Sequence, residues 1–78
     1  MINVKENIII YAFYYAIGRS SNVVYDVVEH LELNWSNLDE QTKKKIHDEI
    51  DFCLFRTGNH GGAEFKELWM KILNLPIR

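Results

Sequence analysis

Ile8-Ile9-Ile10-Tyr11-Ala12-Phe13-Tyr14-Tyr15-Ala16-Ile17 is a run of ten residues without a charge, closed by Gly18 and Arg19. It is too short to cross a bilayer, which takes about 20 apolar residues. It has the length of an export-signal core, and Ala16 imitates the small residue near a cleavage site. The flank argues against export. Lys5 is the only positive side chain before the run, Glu6 follows it, and the run is rich in tyrosine rather than leucine. The stretch therefore reads as a cytoplasmic helix from about Val4 to Ile17. Gly18 suits the left-handed residue that ends many helices, and Arg19 suits the negative helix end. At about 100° per residue, Ile9, Ala12, Phe13, Ala16 and Ile17 share one face. Asn7, Tyr11, Tyr14 and Tyr15 share the other. A helix with no charged face is normally covered on most sides, so this one is expected to be the most buried element.

Three further segments read as helices. From about Asn22 to Asn34, Val23, Val24, Val27, Val28 and Leu31 recur at helical spacing, while Asp26, Glu29 and Glu32 point away. Ser20, Ser21 or Asn22 is the candidate cap. From about Glu40 to Arg56, Asp39 is the N-cap and Glu40 and Gln41 fill the first turn. Ile46, Ile50, Cys53 and Leu54 form its core stripe. Phe52 and Phe55 fall on the opposite side, so its second half is expected to be covered on both sides. From about Ala63 to Leu75, Phe65, Leu68, Trp69, Ile72 and Leu75 form a stripe that Pro76 ends. The fold class that follows is all-α: one domain over residues 1–78, built as a compact bundle of four short helices.

Bulk composition narrows the function. A chain of 78 residues is small enough that stability is marginal without a staple or a partner. Cys53 is its only cysteine, so no internal disulfide is possible, and a lone thiol fits a reducing compartment. A net charge of −2 argues against a dedicated nucleic-acid binder.

Catalysis lacks its usual parts. Cys53 falls on the core stripe, where a thiol is inert packing. Ser20, Ser21 and Ser36 sit at caps. His30, His47, Cys53 and His60 lack the spacing that pre-arranges metal ligands, so no metal and no cofactor is expected. Thr57-Gly58-Asn59-His60-Gly61-Gly62 reads first as a turn between helices, since no strand precedes it and no Lys-Ser/Thr follows it. An anion site on Arg19, Lys43, Lys44, Lys45 and His60 is the alternative. Against it, Lys44 and Asp48, and Lys45 and Glu49, are spaced as pairs on a solvated helix face. The features with most to offer are Tyr11, Tyr14 and Tyr15, with Phe52 and Phe55. Such residues are enriched where proteins meet.

Tyr11-Ala12-Phe13-Tyr14-Tyr15-Ala16-Ile17-Gly18-Arg19, Val24-Tyr25-Asp26-Val27-Val28, Asn34-Trp35, Thr42 and Ile46 resemble a group of small uncharacterised helical proteins of bacteriophages and mobile elements. The resemblance covers about three quarters of the chain, carries no catalytic signature, and rests mostly on packing residues. It implies a non-enzymatic accessory protein in the bacterial host cytoplasm. Such a protein would bind a host or defence protein and modulate or inhibit it, as in an anti-restriction or anti-CRISPR role. The alternatives are a self-associating structural module, such as a homodimer, and a weak nucleic-acid or anion binder. No membrane partner is expected.

Overall fold

Asp39 shows how local chemistry starts a helix in this chain. Its backbone is extended, and its carboxylate accepts the Thr42 N–H at 2.7 Å, satisfying one of the donors a helix start leaves open. This is the cap expected from the sequence. The computed structural model describes residues 4–17, 22–57 and 63–78. Among them lie α1 (Val4–Ala16), α2 (Val23–Asn34), α3 (Glu40–Asp51) and α4 (Ala63–Leu73). A 3₁₀ turn, Trp35–Asn37, joins α2 to α3, and a π-helical turn, Phe52–Thr57, continues α3. The described residues contain no strand. The chain is an all-α bundle of four short helices.

Ends differ in their chemistry. Asn22 precedes α2 but makes no side-chain cap, and its carbonyl accepts the Tyr25 N–H at 3.1 Å. Ser20 and Ser21, the other candidate caps, lie outside the described residues, as do Gly18 and Arg19. α4 stops at Leu73, two residues before the expected end. Its last carbonyls accept the N–H groups of Asn74 and Leu75 in a tapering turn, and Pro76 has no N–H to continue it.

α1 and α4 each pack on α2 and α3, so the helices close a ring in the order α1, α2, α4, α3. The two diagonal members meet at the centre. There Phe13 and Trp69 cross edge to face at 5.6 Å, both fully buried. Val24, Val28 and Leu31 of α2, Ile46 and Ile50 of α3, and Ile72 of α4 fill the space around them. The indole N–H of Trp69 is buried without a hydrogen-bond partner among the described residues, which subtracts from the stabilisation its ring provides.

A second, smaller contact fastens the chain end. Trp35 stacks on His47 at 5.1 Å, and its indole N–H donates to the Pro76 carbonyl. His47 Nε2 lies 2.8 Å from the Ile72 carbonyl. This ties the 3₁₀ turn, α3 and the end of α4 together and gives His47 a packing role.

Three expectations need correction. α1 is not the most buried element. A ring of four helices covers one side of each, so Ile9, Phe13 and Ala16 are buried while Ile8, Tyr11, Tyr14 and Tyr15 are exposed. Phe52 and Phe55 are exposed as well, so the second half of the third helical segment is covered on one side only. Lys43 does the reverse: it sits one turn from Ile46 and is buried. Its four-carbon stem packs as an apolar group, in the way long cationic side chains cover hydrophobic surface.

Candidate functional site

The inward set of α1 lies on one side of the helix wheel. Opposite it, Ile8, Tyr11, Tyr14 and Tyr15 make a continuous strip, because positions three, four and seven apart stack along a helix. Exposure is 64% at Ile8, 74% at Tyr11, 46% at Tyr14 and 58% at Tyr15. Rings left this far in water are unusual on a chain with so little core to spare. Scattered apolar residues are ordinary on protein surfaces; a strip of four on one helix is not.

The strip divides by its neighbours. Tyr14, at one edge, leans on Phe13 with ring centroids 5.3 Å apart, which holds it against the bundle. It forms one wall of a groove of about 550 Å³ whose far side is Phe52, with Lys45, Asp48, Glu49, Asp51 and Arg56 around them. Tyr14 and Phe52 are far apart in sequence, and the packing of α1 on α3 brings them together. Arg56 Nε lies 3.8 Å from Asp51, and Lys44 Nζ lies 3.5 Å from Asp48. All four are well exposed, so these pairs add little stability and are free to re-pair with a ligand.

Phe55 does not line this groove. It sits on the same π-helical turn, with the Lys66 ammonium 5.2 Å from its ring centroid. At the other edge of the strip, α1 and α2 enclose a second groove of about 240 Å³. Ile8, Ile9, Ala12, Val27 and Leu31 line it, with Asp26 and His30 beside them.

Of the anion-binding set, only the three lysines lie among the described residues. Lys43 is buried, Lys44 pairs with Asp48, and Lys45 lines the first groove together with Asp48, Glu49 and Asp51 of the same helix. Arg19, His60 and the glycine loop 58–62 lie outside the described residues. Among the described residues no group of three His, Cys, Asp or Glu is placed to hold a metal ion. No helix of the described residues is long and apolar enough to cross a membrane.

Cys53 is buried, and its thiol lies 3.8 Å from the Glu49 carboxylate. Burial pushes the thiol pKa up, and the Glu49 charge and hydrogen bond push it the same way. A thiol held neutral is a poor nucleophile. Sequence reasoning attached Ile8 to no site, and it weighed Lys45 only for an anion site, not for a groove with Tyr14 and Phe52. Ile8 was legible as the partner of Tyr11 and Tyr15 at helical spacing. The place of Lys45 and Arg56 at the groove was not, because it depends on how α1 packs on α3.

Comparison with known proteins finds no matching family model, no matching curated protein and no matching solved structure.

Proposed function

We propose that this chain is a non-enzymatic protein-binding module that takes its partner into the groove between Tyr14 and Phe52. The observation that carries the reading is the convergence of two aromatic walls from separate helical segments on one charge-rimmed concavity. Transient protein interfaces have this composition: aromatic anchors at the centre and a polar rim. The two basic and three acidic groups around the rings supply orientation and partner choice. Phe52 begins a π-helical turn, a departure from regular helix that recurs at functional sites.

The resemblance to phage and mobile-element proteins supplies the class of partner. It is a host or defence protein met inside the bacterial cytoplasm, and binding inhibits or modulates it, in the manner of an anti-restriction or anti-CRISPR factor. Self-association alone and weak anion binding are the competing readings. Lys43 is buried, which weighs against the second.

The test is affinity capture from nuclease-treated bacterial lysate, with wild type beside a Tyr14→Ala, Phe52→Ala double variant of unchanged circular dichroism. The expected result is one protein retained by wild type and lost by the variant. Equal retention by both would refute the groove as the binding surface.

A further inference from the structure

We propose that the groove between Tyr14 and Phe52 is filled by an arginine side chain of the partner, whose guanidinium lies against the two rings and pairs with Glu49. The proposal rests on the reading of this groove as the binding surface and names the chemistry of what enters it.

The first argument is the sign of the charge. Asp48, Glu49 and Asp51 line the groove with Lys45 and Arg56, so carboxylates outnumber cations. An acidic side chain entering between the rings meets more charge of its own sign than of the other, and a cation meets the reverse.

The second argument is which carboxylate stands open. Asp48 is answered by Lys44 at 3.5 Å, and Asp51 by Arg56 at 3.8 Å. Glu49 differs. It is half-buried, and among the described residues no lysine or arginine nitrogen lies within bridging distance of its carboxylate. Lys45 sits one turn before it and lines the same groove, yet does not pair with it. The contact Glu49 does make is with the neutral Cys53 thiol, 3.8 Å away. A thiol is a weak donor, so the charge of Glu49 is left without an answering cation.

The third argument is the rings. Cations are drawn to aromatic faces, and the chain shows this beside the groove, where the Lys66 ammonium lies over Phe55 on the same π-helical turn. Among the described residues no cation lies over Tyr14 or Phe52. Arginine meets both demands at once. Its planar guanidinium stacks on rings and forks onto a carboxylate, whereas the lysine ammonium is a compact, strongly hydrated charge. The groove of about 550 Å³ has room for such a side chain.

NMR titration of the full chain tests this at fixed ionic strength. The probes are a capped glycyl-arginyl-glycine tripeptide and the same peptide with lysine or glutamate at its centre. The arginine peptide should give saturable shifts at Tyr14, Glu49 and Phe52. The lysine peptide should bind at least about threefold more weakly, and the glutamate peptide should give no saturable shift. Glu49→Gln keeps an acceptor for the Cys53 thiol and removes only the charge. With unchanged circular dichroism, it should weaken the arginine peptide at least about threefold. No saturable shift with the arginine peptide overturns the proposal. So does lysine or glutamate peptide binding as tight as arginine, or a Glu49→Gln variant that binds arginine as wild type does. Lysate capture separates this proposal from the reading beneath it. A partner kept by Glu49→Gln but lost by the Tyr14→Ala, Phe52→Ala variant removes the arginine and leaves the groove. A partner kept by the double variant removes both.

Discussion

Between Ile8 and Tyr15 the outer ridge of α1 carries no charge, whereas the groove at its edge sets Tyr14 and Phe52 among two cations and three acids. Both regions are made of aromatic rings left in water, and both border the same helix. They differ in what surrounds the rings. A groove ringed by mixed charge selects a partner whose charges answer it. Composition alone counts five exposed rings in one class; packing places Tyr11 and Tyr15 on the ridge, Tyr14 and Phe52 at the groove, and Phe55 at neither.

The sharpest way to break both regions is to remove the core they share. Trp69→Ala should cost about 3–5 kcal/mol in urea denaturation, since it empties the centre where α1 meets α4. Trp69→Phe should cost clearly less, because it also removes an unpartnered buried donor. A near-zero effect of Trp69→Ala would place the core elsewhere.

Next in size are the groove residues. Tyr14→Ala and Phe52→Ala should each weaken partner binding by more than about 1 kcal/mol by titration calorimetry. Each should leave the unfolding midpoint nearly unmoved, because both rings are exposed. A large loss of stability without loss of binding would turn these rings into core.

Salt tests the charged rim of the groove. Raising ionic strength should weaken partner binding at the groove several-fold, because exposed charges are screened within about 10 Å at 0.1 M salt. Binding that does not respond to salt would mean that the rim charges take no part in it.

The smallest effect is at Asp39. The Thr42 hydrogen bonds hold its carboxyl below the usual value of 3.8. A carboxyl that is more acidic in the folded state stabilises the fold above that value, and the contribution is lost as pH falls below it. Asp39→Ala should lower the thermal midpoint slightly at neutral pH, and the difference from wild type should shrink in acid. A difference that stays constant down to low pH would mean the cap contributes nothing through its charge.

Much of this fold was legible in the sequence. Ile46 and Ile50 recur at helical spacing against polar neighbours, so the buried side was plain in the first half of their segment; beside Cys53 and Leu54, Phe52 and Phe55 led to the expectation of cover on both sides. The Asp39 cap was equally plain. α1 was harder, because both of its sides are apolar and contrast is what periodicity reads. Which side goes inward was decided by the ring of helices, which covers Phe13 and leaves Tyr11 out. Lys43 was misread because its charge was weighed and its four-carbon stem was not. The candidate site was legible as a set of residue types. Tyr14, Phe52, Lys45 and Arg56 come together only through the crossing of α1 and α3, which no local pattern encodes.

The measurement that bears most directly on the account compares Phe13→Ala with Tyr11→Ala by urea denaturation. These side chains are two residues apart on one helix, one fully buried and one 74% exposed. Phe13→Ala should cost about 3–5 kcal/mol, and Tyr11→Ala should stay within about 0.5 kcal/mol of wild type. Comparable losses at both positions would mean that the ridge is core, and would contradict the division of α1 into a packing side and a binding side.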